Sequence, residues 1–379
     1  MVLVLVTGVT GFVASHTVRQ LLSIDGPGEP IKVRGTVRGL TSAKRDLIVK
    51  TLAPSGKEGQ LELVEVDLLD GADKWAAAVA GCELVVHIAS PYSLRPPRHA
   101  SDMIEPAVRG TRAVLEACAA PPSAVRRVVV TSSIVAVSSG RLAEYSAVRP
   151  SAASPSGVLV VSRNTVFGPA DWPDWPRVVD VYEQSKTLAE RAAWDFMLRP
   201  DLPHRFELCS VLPGYILGPY LLPNFGSSIE LVKSLLNREY PGLPDPCVIS
   251  VVDVRDVASA HIAAMLSDTD VSGKRFIVSP HSVSLKKASS ILSEEFGKFG
   301  YKTPSISLPE FVLKLIALFD SNAAAIVTHL HTVVQYDCSE AENVLKIKWT
   351  NLADSLNDMG YSLIKFGVVK KKPAFVPRD

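Results

Sequence analysis

The amino-acid sequence predicts an α/β protein in which a doubly wound parallel sheet carries a smaller C-terminal lobe. Three observations support this fold class. A β-prone apolar run opens the chain at residues 2–6, a glycine-rich turn and an amphipathic segment follow it directly, and further strand-like runs then alternate with helix-like segments. An opening run that is apolar throughout suits a strand covered on both faces, so the expected sheet is of the Rossmann type.

The turn after the first strand, residues 7–14, follows the pattern Gly-x-x-Gly-x-x-Ala. Glycines at this place allow a tight turn and let backbone N–H groups approach a pyrophosphate at the start of a helix. The closing alanine stands where helix–strand packing needs only a small side chain. The alternative is a plain tight turn without a nucleotide. The residues predicted to bind a dinucleotide here are Gly8, Gly11, Phe12 and Val13.

The second predicted strand, residues 32–38, ends in Arg38, and Lys44 and Arg45 follow shortly after it. A site specific for NAD usually carries Asp or Glu near the end of this strand, where it holds the ribose 2′-hydroxyl. Cations at this place instead pair with a 2′-phosphate through charge-assisted hydrogen bonds. The pattern therefore predicts NADP(H) as cofactor, and a merely basic surface loop is the alternative.

Two more strands are predicted at residues 61–66 and 84–89. Asp67 and Leu68 follow the first of them, and Ala89 closes the second. The Asp67 carboxylate either accepts a hydrogen bond from the adenine amino group or caps the following helix. Because ligands of open α/β sheets lie at the carboxyl ends of the strands, all three residues are predicted to contact the cofactor.

A fifth strand, residues 128–131, leads into Ser132 and Ser133, which places hydroxyl groups at the same edge of the sheet. About fifty residues later Tyr182 and Lys186 stand four positions apart among good helix formers, so they share one side of a helix. A nearby ammonium group favours the phenolate and lowers the pKa of a tyrosine, which makes Tyr182 a candidate proton donor. The alternative is a solvated helix face.

Tyr361 and Lys365 repeat this spacing near the C-terminus. The spacing alone is weak, because chance produces it easily in a chain of this length. No comparable strand precedes Tyr361, and it lies far beyond the nucleotide-binding unit. We therefore interpret Tyr361 as a structural residue.

Composition argues against several classes of function. The chain has 379 residues and a net charge of +1, which gives no reason to expect a nucleic acid or an acidic membrane as partner. The five cysteines show neither zinc-ligand spacing nor a disulfide framework, so we expect no metal site and a reducing compartment. The N-terminal run lacks the basic residues of a signal peptide. We expect a soluble cytoplasmic protein that acts on a small molecule.

Taken together and in this order, the motifs resemble the extended short-chain dehydrogenase/reductase superfamily of the NAD-dependent epimerase/dehydratase type. Within it, the likeness is to the dihydroflavonol reductase-like and methylglyoxal reductase-like group. The resemblance extends over roughly residues 1–280. The segments that carry it are 7–12, 36–38, 87–91, 131–133, 182–194, 212–219 and 253–257.

The resemblance implies a role for each matching residue. Ser133 would hydrogen-bond the substrate carbonyl oxygen, and Tyr182 would protonate that oxygen as a hydride arrives from the nicotinamide. Lys186 would bind the nicotinamide ribose and lower the pKa of Tyr182, and Pro213 would lie beside the nicotinamide. The likeness also favours a monomer over a dimer.

The expected function is that of an NADPH-dependent carbonyl reductase, which converts a ketone or aldehyde to an alcohol. We expect residues 1–212 and 248–272 to form the Rossmann NADP-binding domain, and residues 213–247 and 273–379 to form the substrate-binding lobe. The stretch 138–163 is longer than in relatives, and it either shapes the substrate pocket or forms a surface loop.

Two alternative functions are a nucleotide-sugar epimerase or dehydratase with bound NAD, and a non-catalytic NADP(H)-sensing protein. The cation at Arg38 argues against the first. The intact pair of Tyr182 and Lys186 argues against the second.

Overall fold

The computed structural model describes residues 1–25, 30–91, 97–141, 166–223, 228–245, 247–318, 330 and 333–378. The strands of this part are β1 (Val2–Val6), β2 (Ile31–Val37), β3 (Leu61–Glu65), β4 (Leu84–His87), β5 (Arg127–Thr131), β6 (Val166–Phe167), β7 (Glu207–Pro213), β8 (Tyr215–Leu217), β9 (Leu243–Pro244), β10 (Val248–Asp253), β11 (Arg275–Val278), β12 (His281–Ser284), β13 (Ser307–Leu308) and β14 (Gln335–Tyr336). The helices are α1 (Phe12–Leu22), α2 (Ser42–Leu52), α3 (Ala72–Val79), α4 (Ser101–Ala119), α5 (Val135–Ser138), α6 (Val181–Met197), α7 (Ser228–Asn237), α8 (Val254–Leu266), α9 (Leu285–Phe296), α10 (Glu310–Ala317), α11 (Ser339–Asn343) and α12 (Leu352–Lys365).

A seven-stranded sheet with the order β11-β7-β5-β4-β1-β2-β3 forms the centre of the molecule. All its neighbouring strands run parallel. The chain builds outward from β1 through β2 to β3, then returns to β4 on the other side of β1. In such a sheet the ligand crevice opens where the strand order reverses, between β1 and β4. The predicted doubly wound parallel sheet is confirmed.

Helices cover both faces of this sheet because its strands are apolar on both sides. Val4 and Val6 of β1 pack into one core with α1, α2 and α8. Leu5, which lies between them, packs into a second core with α3, α4 and α6. This alternation is the two-residue period of a strand, and each fully buried side chain of this kind contributes about 1.5–3 kcal/mol.

A C-terminal lobe packs α7, α9 and α12 around a third core. Its centre is aromatic: the Phe296 ring lies 4.9 Å from that of Tyr361 and 6.0 Å from that of Tyr301. The Tyr361 hydroxyl donates a hydrogen bond to Glu295. Tyr361 is therefore a lobe residue with its own packing and hydrogen-bonding role, as its sequence context indicates.

Two strands lie where the sequence division did not place them. Residues 248–252 were expected to return to the first domain, but β10 pairs with β8 and β12 in a separate three-stranded sheet. Residues from 273 onward were assigned to the lobe, but β11 pairs with β7 at the edge of the large sheet. The buried run 275–278 completes this edge, because its side chains pack into the core beside α8.

Candidate active site

A single cleft of about 1280 Å³ crosses the carboxyl edge of the large sheet and reaches the lobe. The glycine turn after β1 lies at one end, and lobe residues such as Tyr215 and Ile249 lie at the other. Between them the ends of β4, β5 and β7 contribute Ala89, Ser133 and Pro213. The cleft therefore occupies the ligand position that the sheet topology indicates.

The glycine turn is shaped by close contacts that leave no room for side chains. Gly8 has φ of +70°, and a Cβ atom placed there would lie 3.0 Å from the Cβ of Ala89. The Gly8 N–H donates to the Thr36 hydroxyl at 2.9 Å. Gly11 begins α1 without a side-chain cap, and the first turn of α1 contains no acidic residue. The positive end of α1 thus faces the cleft uncapped, which suits a pyrophosphate.

The basic residues after β2 are divided between the cleft and its surroundings. Arg38 is exposed and lines the cleft. Lys44 and Arg45 lie on α2 outside the lining, and the Lys44 ammonium group donates to the Gly39 carbonyl oxygen at 2.8 Å and also to that of Arg38. Lys44 therefore holds the loop that presents Arg38. Binding of a 2′-phosphate by these cations remains a prediction.

The predicted adenine contacts, Asp67 and Leu68, also line the cleft. The Asp67 carboxylate accepts a hydrogen bond from the Leu69 N–H at 2.9 Å, and the Asp67 N–H donates to Asp70 at 2.8 Å. Asp67 is thus fixed by its own turn, and α3 begins only at Ala72. Phe12 and Val13, the first residues of α1, line the cleft as well.

Helix α6 brings Tyr182 and Lys186 to the cleft beside Ser133. The helix begins after Asp180, whose carboxylate accepts the Glu183 N–H at 3.0 Å and so caps the first turn. Ser133 is 7% exposed. The predicted catalytic residues therefore share one wall of the cleft, although β5 and α6 are far apart in the chain.

The two serines after β5 have different partners. Ser132 donates a hydrogen bond to the Glu190 carboxylate at 2.6 Å, which directs its side chain toward the interior. Ser133 accepts only a long hydrogen bond, 3.4 Å, from the Val135 N–H. Among the described residues, the Ser133 hydroxyl group therefore donates no hydrogen bond, and its proton can be donated to a ligand.

Glu190 and Arg275 form a buried ion pair behind this wall, with side-chain exposures of 1% and 7%. Arg275 Nε lies 2.8 Å from Glu190 Oε1, and the guanidinium group also donates to the carbonyl oxygens of Ala136, Pro169 and Asp171. The pair fastens α6 to β11 and to the segment after β5. Sequence reasoning missed it. The available signals were an acid on the apolar face of α6 and an arginine opening a buried strand.

Lys186 is 9% exposed, and none of the hydrogen bonds among the described residues involves its ammonium group. Burial lowers its pKa to about 8, although the Glu190 charge opposes the shift. A buried ammonium group that faces a cleft has hydrogen-bonding capacity left for a ligand. His87 lies nearby, and burial lowers its pKa to about 3, with the Lys186 charge acting in the same direction. His87 is therefore neutral.

The cofactor end of the cleft is tied to the lobe by α1. The Phe12 ring stacks on Tyr220, with centroids 4.0 Å apart. His16 Nε2 lies 2.7 Å from the Pro219 carbonyl oxygen. Burial lowers the pKa of His16 to about 4, so the neutral ring donates this hydrogen bond at neutral pH.

Most of the long stretch 138–163 falls at residues 142–163, outside the described residues, so its expected roles stay predictions. Across the ranges that are described, no cluster of three or more His, Cys, Asp or Glu side chains could hold a metal ion. Among the same residues, none of the helices has the length and apolar character needed to cross a membrane.

Comparison with known proteins identifies the family. Residues 4–153 match the model of the NAD dependent epimerase/dehydratase family. A ketoreductase of Aspergillus niger, azaE, is 30% identical over 328 residues, which cover 84% of this chain and 90% of that protein. The chain belongs to this family. The resemblance to extended short-chain dehydrogenases/reductases is thereby confirmed.

Two further comparisons extend over almost the whole chain. The NADPH-dependent methylglyoxal reductase GRE2 of Saccharomyces cerevisiae is 28% identical over 371 residues, 96% of this chain and 98% of that protein. The solved structure of the yeast methylglyoxal/isovaleraldehyde reductase Gre2 complexed with NADPH superimposes with a TM-score of 0.72 at 26% identity. That alignment covers 97% of this chain and 99% of the yeast chain.

Proposed function

We propose that this chain is an NADPH-dependent carbonyl reductase in which Tyr182 donates the proton to the substrate oxygen. The expectation of an NADP-dependent oxidoreductase of the extended short-chain type is confirmed by the family and by its reductase relatives. The observation that carries the finer proposal is the cleft itself. One continuous space joins the glycine turn to a wall that contains Ser133, Tyr182 and Lys186.

The glycine turn and Arg38 would hold NADPH, which would supply the hydride that the carbonyl carbon accepts and would thereby be oxidised to NADP⁺. Negative charge then develops on the carbonyl oxygen, and a proton must reach it. Hydroxyl donors aimed at that oxygen bind the transition state more strongly than the ground state. Ser133 is suited to donate a hydrogen bond, because Ser132 rather than Ser133 is engaged by Glu190. Tyr182 supplies the proton and completes the alcohol.

The proposed role of Lys186 rests on its charge and burial. With a pKa of about 8, its amine is mostly protonated at neutral pH. One turn away along α6, this charge favours the phenolate that Tyr182 becomes after donating its proton. The ammonium group also has hydrogen-bonding capacity for the hydroxyls of the nicotinamide ribose.

Arg38 supports NADPH rather than NAD as cofactor, since it occupies the place where NAD-specific sites carry an acid. An epimerase function receives no separate support. The family match covers residues 4–153, which hold the nucleotide-binding strands common to reductases and epimerases. Two of the relatives that align with nearly the whole chain, the curated yeast protein and the solved yeast structure, carry the names of reductases at 28% and 26% identity.

The test is NADPH oxidation against a broad panel of aldehydes and ketones, with the alcohol product identified and Tyr182→Phe assayed in parallel. We expect turnover of at least one carbonyl by the wild-type protein and its loss in the variant, with NADPH binding retained. Undiminished turnover by Tyr182→Phe would remove Tyr182 from the proposal. Binding of NADPH without reduction of any carbonyl would instead favour a sensing function.

A further inference from the structure

The substrate end of the cleft contains a carboxyl group that the proposed proton transfer does not use. Glu183 directly follows Tyr182 on α6 and lines the cleft with Ser138, Ser139 and Tyr336. Ser138 and Ser139 stand at the end of α5, just beyond Ser133, and Tyr336 ends β14. The hydroxyl groups of Ser138 and Tyr336 lie 2.7 Å apart. These four side chains are called the polar corner below.

The surroundings of the polar corner are largely apolar. Tyr215, Ile249 and Val334 line the same end of the cleft, and Ile134 and Val334 pack against the core beside Tyr336. A polar group in such surroundings is costly unless it is hydrogen-bonded. The Ser139 hydroxyl is buried, with the residue 2% exposed, and it makes no well-formed hydrogen bond within the described part of the chain. The corner therefore contains unused hydrogen-bonding capacity next to the proposed proton donor.

The ionisation of Glu183 responds to this environment. Burial raises the pKa of its carboxyl to about 7; the nearby Ser139 hydroxyl opposes the rise, and the Asp180 charge adds to it. From β14, Tyr336 faces the carboxyl, and burial raises the pKa of that phenol, with the Glu183 charge acting in the same direction. The other titratable groups that α6 and its N-cap bring to the cleft are Asp180, Tyr182 and Lys186.

We propose that Glu183 is a specificity-determining residue: its carboxylate accepts a hydrogen bond from a hydroxyl group that the substrate carries next to the reacting carbonyl. The same charge disfavours substrates that carry a carboxylate at that position, since like charges in a partly desolvated site repel. This proposal rests on the proposed carbonyl reduction at Tyr182, one residue earlier. It assigns hydroxylated ketones or aldehydes as the preferred substrate class.

Three aryl ketones of nearly equal size test the assignment: α-hydroxyacetophenone, propiophenone and phenylglyoxylate. They carry a hydroxymethyl, an ethyl and a carboxylate group beside the same carbonyl. The measurement is kcat/KM with NADPH for each ketone, in the wild-type protein and in Glu183→Gln. The matched control is Glu294→Gln, because Glu294 is exposed on α9 and does not line the cleft.

Above the pKa of Glu183, we expect the wild-type protein to prefer α-hydroxyacetophenone over phenylglyoxylate. Glu183→Gln should lower this preference by about tenfold or more, mainly through KM, because it removes both the charged acceptor and the repulsion. In the wild-type protein the preference should weaken as pH falls through about 7, and in the variant this change around pH 7 should be absent. An unchanged preference in Glu183→Gln would overturn the proposal.

Asp180→Asn separates this role from a merely structural one. Asparagine keeps the cap of α6 but removes the charge that raises the pKa of Glu183, so the midpoint of the pH dependence should move to lower pH. A midpoint that stays in place would contradict the assignment of the titrating group to Glu183.

The same experiment keeps this inference distinct from the proposed function. If the wild-type protein reduces the ketones but Glu183→Gln shows an unchanged preference, the inference alone fails. If no ketone is reduced, the proposed function fails. Calorimetric titration of the NADPH complex with α-hydroxyacetophenone and phenylglyoxylate then decides the inference. A ratio of Kd values that Glu183→Gln shifts toward phenylglyoxylate supports it, and an equal ratio overturns it.

Discussion

The buried ion pair between Glu190 and Arg275 offers a quantitative test of how the catalytic wall is held. Glu190→Gln keeps the shape of the side chain but leaves the Arg275 guanidinium, 7% exposed, without its countercharge. Breaking a buried pair by removing one charge costs about 3–5 kcal/mol, because the remaining charge stays desolvated. Whole proteins are stabilised by only about 5–15 kcal/mol, so a large share of the unfolding free energy should be lost.

The ion pair of the preceding residue, Lys274, provides the matched control. Lys274 pairs with Glu340 at 3.0 Å, but both side chains are more than one-third exposed, at 36% and 39%. An exposed pair of this kind contributes less than about 1 kcal/mol, so Glu340→Gln should change stability little. The assay is urea unfolding followed by circular dichroism at neutral pH. Equal losses in Glu190→Gln and Glu340→Gln would refute the reasoning.

Three further predictions concern the cofactor end of the cleft and Lys186. Gly8→Ala should weaken NADPH binding in fluorescence titration, because it adds a Cβ atom 3.0 Å from the Cβ of Ala89. The control is Gly81→Ala, which should bind NADPH normally: Gly81 also has a positive φ, but a Cβ atom there would meet no neighbouring atom. Arg38→Ala should weaken binding of NADPH by about tenfold or more and leave NADH binding nearly unchanged, through loss of charge-assisted hydrogen bonds. Lys186→Met should abolish turnover yet raise the unfolding free energy at neutral pH by up to about 3 kcal/mol, since burial lowers the lysine pKa from 10.5 to about 8.

The pH dependence of stability tests the prediction for Lys186. A lysine whose pKa is lower in the folded than in the unfolded protein reduces the unfolding free energy at neutral pH, and this cost disappears as pH rises from about 8 toward 10.5. The stability gain of Lys186→Met should therefore shrink in alkaline urea titrations, and a constant gain would contradict the account. Equal effects of Gly8→Ala and Gly81→Ala would remove the steric argument. Parallel losses of NADPH and NADH binding in Arg38→Ala would contradict recognition of the 2′-phosphate.

The sequence reveals the parts of the fold that depend on local patterns. The first strand and the glycine turn can be predicted because each depends on residues only a few positions apart in the chain. The pairing of Tyr182 with Lys186 can be predicted for the same reason, since residues four positions apart lie on the same side of a helix. The context of each motif then separates Tyr182 from Tyr361, which the structure places in the aromatic core of the lobe.

Contacts between segments that are distant in the chain could not be predicted in this way. Glu190 and Arg275 are separated by 85 positions, and only the parallel pairing of β11 with β7 brings them together. The polar corner brings the ends of α5, α6 and β14 together, although strands β7 to β13 lie between α6 and β14 in the chain. Lys44 shows a further limit of the sequence. It belongs to a basic cluster there, but the sequence does not show that its ammonium group donates hydrogen bonds to backbone carbonyl oxygens of the loop that presents Arg38. Its contact with a 2′-phosphate stays a prediction.

The most direct test of the central claim compares Tyr182→Phe with Tyr361→Phe, because both tyrosines precede a lysine by four positions and only Tyr182 lines the cleft. The measurement is kcat for the best carbonyl of the panel, together with the Kd for NADPH. We expect Tyr182→Phe to lose at least about a hundredfold in kcat, the usual contribution of a general acid, with an unchanged Kd. Tyr361→Phe should retain normal turnover. Comparable turnover by the two variants would contradict the assignment of the proton donor.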